Sequence, residues 1–388
     1  MRLAGFLLAP LLFTSVTEAD HWWLSEFQAV SELTGERVVI AVIDTGIDTS
    51  HPDLAGVVIG GADFSGAGTP DGSSPVGPSG FHGTMVASLI AGQGRVTGGV
   101  IGIAPSAKLL SISVGLGLVG ADTDRQIAQA VRWAADQGAD VINLSVSRAS
   151  RNWPASWDEA FLYAMEKDVV IVAASGNKLD GQSSPTAPAT IPGVISVTAV
   201  DREGNASEVS GAEGIGISVA AAGVDMVGSY PNQQPRKWSG SSAAAPIVSG
   251  LLALMIEADP KARSSDLIER LISTAKDLGD IGYDKDYGYG LISPATAIAS
   301  RLTAEENPLG SLASWIDLYR PSAPVDEAEL LIPPQSDPLA AENQLPVPQP
   351  EAELWSNPLL YVLVVPLALL LFFGMRNRFG RDGKKPRR

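Results

Sequence analysis

Six short, largely apolar runs dominate the hydrophobic pattern of the chain, at residues 38–43, 108–114, 139–145, 169–174, 194–200 and 217–221. Runs of this length that are rich in Val and Ile are typical of strands buried on both faces of a parallel sheet. Apolar residues at helical spacing occupy two segments between them, at 85–91 and 124–137, and one after the last run, at 247–255. This alternation predicts an α/β fold with a doubly wound, mostly parallel central sheet and helices on both faces.

Polar residues with catalytic chemistry stand at the ends of three of these elements. Asp44 follows the first apolar run, His82 opens a helix, and Ser242 precedes another helix in a stretch of small residues. Small neighbours give a substrate carbonyl access to the Ser242 hydroxyl, and the first turn of a helix supplies unpaired N–H groups. We expect Pro246 to lie in that first turn, where a missing N–H costs little. For this segment taken alone, a buried helix with an inert serine is the alternative.

Asp44, His82 and Ser242 together form a candidate catalytic triad. Asp44 would hold the imidazole tautomer, while His82 would accept the proton of Ser242 and pass it to the leaving amine. No G-x-S-x-G elbow surrounds Ser242, which argues against an α/β-hydrolase. Asn177 follows the run 169–174, and its amide could donate to an oxyanion beside the Ser242 backbone N–H. For Asn177 alone, an ordinary turn asparagine is the alternative.

The chain resembles the subtilisin-like serine proteases of the S8 family through seven segments in that family's order. These segments are 42–48 (VIDTGID), 50–54 (SHPDL), 82–84 (HGT), 103–105 (IAP), 141–145 (VINLS), 174–177 (ASGN) and 240–246 (GSSAAAP). The resemblance implies a subtilisin-like endopeptidase fold over about residues 37–300, with Asp44, His82 and Ser242 as its triad. A narrower resemblance, to the membrane-anchored mycosins of type VII secretion, rests on Trp22-Trp23-Leu24 and on the layout of the chain.

The resemblance also implies a substrate cleft. One wall of its pocket is matched by Ser145, Val146 and Ser147, and the other by Ala174, Ser175 and Gly176. The pocket floor is matched by Thr186, and the loop that flanks the cleft contains Gly115 and Gly117. Thr186 at the floor predicts a small or medium side chain before the scissile bond. The flanking loop could pair through its backbone with an extended peptide, in the manner of strand addition.

The same loop imitates a dinucleotide-binding fingerprint. Residues 115–120 spell G-x-G-x-x-G between a predicted strand and a predicted helix. The acidic residue that binds a ribose should end the next strand, whereas Asp140 begins it. A nucleotide site is therefore disfavoured, and we expect no cofactor and no nucleic-acid partner.

Composition argues against a metal centre. The chain has no cysteine, which excludes disulfides, thiol catalysis and thiolate ligands, and its only histidines are His21, His51 and His82. Many relatives bind calcium in the loop after the histidine helix, but residues 92–102 contain no carboxylate. Because calcium takes six to eight oxygen ligands that include carboxylates, we predict no metal site.

Both ends of the chain carry membrane signals. Residues 1–19 are typical of a signal peptide, and residues 358–375 are apolar for long enough to form a transmembrane helix. Residues 376–388 hold seven Lys or Arg and one Asp, a net charge of +6 in a chain of −16, so the rest of the chain carries −22. A basic flank stays on the cytoplasmic side, which places the acidic part outside.

These signals complete the predicted organisation. Residues 20–303 form the peptidase domain and residues 304–357 a Pro- and acid-rich linker, although the part near Trp315 and Tyr319 is apolar enough to pack on the domain instead. We predict a membrane-anchored extracytoplasmic serine endopeptidase that acts on proteins or peptides, with the type VII secretion machinery as a candidate partner. A catalytically idle scaffold or binding module of a secretion complex is the alternative.

Overall fold

Seven parallel strands form the central sheet of the computed structural model, which describes residues 18–320 apart from 97–98, 179–180, 182, 208–210 and 232–233. The strands are β1 Val39–Asp44, β2 Val58–Asp63, β3 Lys108–Ser113, β4 Val141–Leu144, β5 Val170–Ala174, β6 Ile195–Val200 and β7 Val219–Ala222. Their order is β2-β3-β1-β4-β5-β6-β7, and all pairings are parallel. The predicted parallel sheet is confirmed, and the strand order reverses direction between β1 and β4, where α/β folds form their sites.

Helices cover both faces of this sheet and enclose two apolar cores. The helices are α1 His82–Ala91, α2 Thr123–Asp136, α3 Ser156–Glu166, α4 Ser241–Ala258, α5 Ser264–Ser273, α6 Pro294–Ala299 and α7 Leu312–Tyr319, with a 3₁₀ segment at Glu18–Val30. In β1, Ile40 and Val42 belong to the core beneath α1 and α4, whereas Ala41 and Ile43 belong to the core beneath α2 and α3. Burial on both faces explains why the strand is apolar without alternation.

Two β elements have no counterpart in the sequence prediction. The edge strand β2 is half-exposed and contains Gly60 and Gly61. A Cβ at Gly61 would lie 2.0 Å from the Ser111 carbonyl oxygen, so the close approach of the two backbones requires glycine there. The second element is an antiparallel hairpin of β8 Met226–Tyr230 and β9 Gln234–Trp238, which leads directly into α4.

The first part of the predicted linker packs on the domain. Trp315 and Ile316 of α7 lie against the core beneath α2 and α3, and the Trp315 ring centroid is 4.4 Å from that of Trp153. Arg320, just after α7, forms an ion pair with Asp158 and donates to the Trp153 carbonyl at 2.7 Å. The chain is thus bound to the domain up to the point where the described residues end.

The predicted membrane segments lie outside the described residues. The membrane segments are residues 1–17 of the signal peptide, the span 358–375 and the basic tail 376–388. The linker beyond residue 320 also lies outside the described residues. Among the residues that the structure describes, one helix is long and apolar enough to cross a membrane, namely α4, with a mean hydropathy of 1.5. It is 78% buried within the domain, as expected of a core helix.

Candidate active site

Asp44 and His82 meet at the carboxyl end of β1. The Nδ1 atom of His82 lies 2.9 and 2.8 Å from the two carboxylate oxygens of Asp44. Asp44 is fully buried and accepts the Thr45 N–H at 2.7 Å, whereas the His82 side chain keeps 21% of its surface exposed. Because Nδ1 donates to the carboxylate, the neutral ring carries its lone pair on Nε2, away from Asp44.

Close packing between β1 and α1 brings these two residues together. A Cβ at Gly83 would lie 2.3 Å from the Gly46 carbonyl oxygen, so only glycine allows the helix to begin so near the strand. The Gly83 N–H donates to Thr45 Oγ1 at 3.0 Å, and Thr45 Oγ1 donates to the Gly80 carbonyl at 3.1 Å. The small residues beside Asp44 and His82 therefore have a steric reason.

The charge of Asp44 governs the protonation of His82. Burial acts to lower the pKa of His82, but the Asp44 charge and its hydrogen bond outweigh burial and hold the pKa above the ordinary value of 6.5. The opposite holds at His51, where burial lowers the pKa despite the charges of Asp53 and Asp48. His51 Nδ1 accepts the Asp53 N–H at 3.1 Å and is fully buried, which is a structural role.

Ser242 lies in the first turn of α4 and exchanges two hydrogen bonds with Ser145. The Ser242 hydroxyl donates to the Ser145 carbonyl at 3.1 Å, and the Ser145 hydroxyl donates to the Ser242 carbonyl at 2.9 Å. The parallel register pairs Val42 with Asn143, so Ser145, two residues on, comes level with Asp44 on the neighbouring strand. This pairing places Ser242 next to the residue that follows β4, on the strand beside β1.

The expectation that Pro246 lies in the first turn of this helix is wrong. The helix begins at Ser241, so Pro246 falls inside it, in the second turn. At that position an N–H would bond to the carbonyl four residues earlier, which belongs to Ser242. Because proline has no N–H, the Ser242 carbonyl is left to accept the Ser145 hydroxyl, and the missing helical bond is replaced.

The Ser242 hydroxyl and His82 are not hydrogen-bonded to each other in the described part of the chain. The hydroxyl is directed to Ser145, and the hydrogen bond of His82 runs to Asp44. A rotation about χ1 of Ser242 would release Oγ from the Ser145 carbonyl. Catalytic hydrogen bonds of this kind are often long or poorly aligned until a substrate binds.

Asn177 is joined to the start of α4 by Ser241. Its Oδ1 atom accepts the Ser241 N–H at 2.9 Å, which fixes the orientation of the amide because only the oxygen can accept. The Ser241 hydroxyl accepts the Gly176 N–H at 3.1 Å. Ser241 thus connects the loop after β5 to the helix that carries Ser242, a role that sequence reasoning missed. Its only sequence signal was a second hydroxyl next to Ser242.

The residues predicted to line a substrate cleft come from the ends of β3, β4 and β5 and from the segment after β5. Thr186 donates its N–H to the Ser175 carbonyl at 3.2 Å, so the predicted floor does contact one predicted wall. The hydroxyls of both residues are buried and find no hydrogen-bond partner within the described part of the chain. Of the other predicted lining residues, two are exposed, namely Ser147 and Gly117. The remaining ones are buried, namely Gly115, Ser145, Val146, Ala174 and Gly176.

The loop after α1 is organised around the buried carboxylate of Asp53. This carboxylate accepts the N–H groups of Arg95, Val96 and Val100 at 2.7, 3.2 and 2.9 Å. It also accepts the Ser229 hydroxyl at 2.8 Å. Calcium needs oxygen ligands, whereas these N–H groups converge on an anion, so the described residues of this loop do not fit the calcium site of many relatives.

Comparisons with known proteins identify the family of the chain. A model of the subtilase family (Peptidase_S8) matches residues 35–290. The chain is 34% identical to fervidolysin from Fervidobacterium pennivorans over 312 residues, which cover 72% of this chain and 43% of that protein. It is 36% identical to subtilisin Savinase from Lederbergia lenta over 282 residues, which cover 71% of this chain and 97% of that protein. The chain thus spans less than half of fervidolysin but nearly all of the second relative.

Solved structures show the same likeness. The crystal structure of fervidolysin, a keratinolytic enzyme related to subtilisin, aligns with a TM-score of 0.65 and 32% identity over 73% of this chain and 46% of that one. The MycP3 protease from the type VII (ESX-3) secretion system aligns with a TM-score of 0.61 and 29% identity over 74% of this chain and 90% of that one.

Proposed function

The chain belongs to the subtilase family, and from that premise we propose that it is a serine endopeptidase with Asp44, His82 and Ser242 as its catalytic triad. The observation that carries the proposal is the pair of short contacts between His82 Nδ1 and the buried Asp44 carboxylate, at 2.8 and 2.9 Å. This pair leaves the basic Nε2 atom to serve the hydroxyl of α4. An imidazole held in this way is the general base of acyl transfer.

The proposed reaction forms and hydrolyses an acyl-enzyme. Ser242 Oγ attacks the scissile carbonyl carbon while its proton passes to His82 Nε2, and the negative charge moves to the carbonyl oxygen. The Asn177 amide and the Ser242 backbone N–H donate to this oxyanion. His82 then returns the proton to the leaving amine as the C–N bond breaks. Water repeats these steps on the ester and regenerates the Ser242 hydroxyl.

A fluorophosphonate probe tests this function directly. We expect the wild-type chain to be phosphonylated at Ser242 with release of fluoride, and the Ser242→Ala variant to be unlabelled. Ser239→Ala is the matched control, since Ser239 is an exposed serine three residues earlier in the same segment. A folded wild-type protein that resists the probe, or a label that persists in Ser242→Ala, would remove the support for this function.

A catalytically idle scaffold remains the second candidate, because one specific observation favours it. The Ser242 hydroxyl is bonded to the Ser145 carbonyl, and it has no hydrogen bond to His82. In an idle scaffold this arrangement would be permanent. The fluorophosphonate probe distinguishes the two candidates. A Ser242 hydroxyl held permanently at Ser145 should react no faster than any other serine. An activated Ser242 should be labelled rapidly, and the label should be absent from Ser242→Ala.

Replacing Asn177 tests the proposed oxyanion contact. We expect Asn177→Asp to lower kcat about 10²- to 10³-fold with little change in KM. An aspartate keeps an oxygen to accept the Ser241 N–H, which Asn177 accepts at 2.9 Å, but it replaces the amide donor with a negative charge. Steady-state hydrolysis of a peptide ester measures both constants. A KM effect with unchanged kcat would assign Asn177 to ground-state binding instead.

The pH dependence of kcat/KM reports the free His82. Since its pKa is raised above 6.5 and only the neutral ring accepts a proton, activity should fall as pH decreases through a value above 6.5. Asp44→Asn removes the charge that raises this pKa, so the acid limb should move to lower pH while kcat falls about 10⁴-fold. Rates measured from pH 5 to 10 in both proteins check this. An unchanged acid limb in Asp44→Asn would assign the limb to another group.

Substrate selection is proposed to use the pocket behind Ser242. The hydrogen bond from the Thr186 N–H to the Ser175 carbonyl, at 3.2 Å, supports a pocket whose floor and one wall are formed by small residues with hydroxyl groups. Small or medium side chains before the scissile bond should therefore be preferred. Cleavage of a peptide library before and after Thr186→Gly measures the preference, which should broaden toward larger residues. No change in the preference would place the pocket floor elsewhere.

We also propose that the protein is anchored in the cell membrane with its catalytic domain outside. The support comes from the sequence, namely the apolar segment 358–375 and the tail 376–388 of net charge +6. The likeness to the MycP3 protease supports a role beside type VII secretion machinery. Removal of residues 358–388 should release the protein from the membrane fraction. Retention of the protein in the membrane fraction after this deletion would contradict the proposed membrane anchor. Full type VII secretion by a strain that lacks this protein would contradict the proposed partnership with the secretion machinery.

A further inference from the structure

The β8–β9 hairpin contacts the beginning of α1 through two pairs of rings. The ring centroid of Trp238 lies 5.5 Å from that of His82, with the two planes at 83°. The Tyr230 ring stacks on Phe81, the residue before His82, with centroids 5.1 Å apart. Arg236 covers Tyr230 with its guanidinium carbon 3.8 Å from the ring centroid. The hairpin therefore touches the histidine itself and the residue before it.

Packing from behind holds the Trp238 ring in this position. Trp238 pairs with Met226 in the antiparallel register, and Gly228 leaves the space that the indole occupies. A Cβ at Gly228 would lie 3.0 Å from the indole nitrogen and 2.8 Å from the Met85 Cβ. This glycine therefore opens a slot between β8 and α1 that the indole fills.

The indole N–H of Trp238 is buried and has no hydrogen-bond partner among the residues that the structure describes. A buried tryptophan usually finds a partner for this group, and leaving the group unpaired is unfavourable. A leucine would fill the slot without that cost. What tryptophan supplies here is a large, rigid ring that meets His82 in an edge-to-face contact, so the position is better explained by the ring than by its polar atom.

Asp44 alone does not define the plane of the His82 ring. It contacts one ring atom, Nδ1, and a ring held at one edge can still tilt about that hydrogen bond. We propose that Trp238 is the positioning residue that removes this freedom and keeps Nε2 directed at the Ser242 hydroxyl. Trp238 stands four residues before Ser242, so one segment ends against the histidine and begins the nucleophile helix. This inference rests on the proposed roles of His82 and Ser242.

The test compares Trp238→Leu, Trp238→Phe and a matched control. Trp22→Leu is the control, because Trp22 is also half-buried and its buried indole N–H also lacks a partner among the described residues. The readout is the rate of labelling by a small fluorophosphonate, whose leaving group is fluoride, together with kcat and KM for a peptide ester. A misplacement of about 1 Å can cost about 10²-fold, so we expect Trp238→Leu to lose about 10- to 100-fold in labelling rate and kcat.

The outcomes separate positioning from general stability. KM should stay within about threefold in Trp238→Leu, Trp238→Phe should recover most of the rate because it restores a flat ring, and Trp22→Leu should match wild type. A Trp238→Leu variant with the wild-type rate would overturn the proposal. So would an equal loss in Trp22→Leu, or a Trp238→Phe variant no better than Trp238→Leu.

A nuclear magnetic resonance measurement tests the contact independently of activity. The chain has three histidines, so the imidazole spectrum has three sets of signals, and His82→Ala assigns one of them. Trp238→Leu removes a ring current, so the His82 signals should shift while those of His21 and His51 stay in place. Unmoved His82 signals would overturn the positioning role. If Trp238→Leu shifts the His82 signals but the fluorophosphonate never labels the wild-type protein, the proposed function is refuted and the ring contact stands.

Discussion

Replacement of Ser242 by alanine is expected to lower kcat about 10⁶-fold, and adding His82→Ala to that variant should lower it no further. The reason is that the two residues act on one proton. Without the hydroxyl there is no proton for the imidazole to accept, so the histidine loses its function together with the serine. His82→Ala alone should cost about as much as Ser242→Ala alone, and the losses should not add.

Single-turnover and steady-state hydrolysis of a peptide ester measure these losses. Ser239→Ala and His21→Ala are the matched controls, because they remove the same side chains outside the crevice and should keep wild-type rates. Additive losses in the double variant would mean that Ser242 and His82 act independently. That result would contradict the triad even if both single variants were inactive.

The Asp53→Ala variant is expected to lose about 3–5 kcal/mol of unfolding free energy, the largest effect on stability that we foresee. Asp53 is fully buried and its carboxylate accepts three backbone N–H groups and the Ser229 hydroxyl. Alanine would leave the buried Val100 N–H and Ser229 hydroxyl without an acceptor and would release the two part-buried N–H groups of Arg95 and Val96. Asp53→Asn should lose less, because the amide keeps one oxygen for some of the donors.

Urea unfolding followed by circular dichroism measures this loss as a shift of the midpoint at constant slope. The control is Asp122→Ala, an exposed helix cap that accepts the Arg125 N–H at 3.1 Å and should cost about 1 kcal/mol. Since hydrogen-bond donors surround the Asp53 carboxylate, a chelator should leave the wild-type midpoint unchanged. A chelator-dependent midpoint, or an Asp53→Ala variant as stable as Asp122→Ala, would contradict this account of the loop.

Local sequence pattern was sufficient for six of the seven strands of the sheet and for the candidate residues at their ends. Each core strand is a largely apolar run because both of its faces are buried, and Asp44 and Asn177 stand at or just beyond the ends of such runs. Asp44 and Asn177 could therefore be placed at strand ends before their neighbours were known. The edge strand β2 and the β8–β9 hairpin have glycines, prolines or exposed charges instead of such runs, so pattern alone does not find them.

The sequence by itself determined the parallel sheet, its two buried faces and the order in which Asp44, His82, Asn177 and Ser242 occur, because these depend on residue type and local spacing. Only the tertiary structure decided which atoms meet. The register of β1 with β4 determines the position of Ser145, whose hydroxyl donates to the Ser242 carbonyl. That carbonyl is available because Pro246, in the second turn of α4, has no N–H to donate to it. Gly228 opens the slot in which Trp238 packs against His82. These contacts join residues far apart in the chain, and their geometry follows from how the backbones pack rather than from any local pattern.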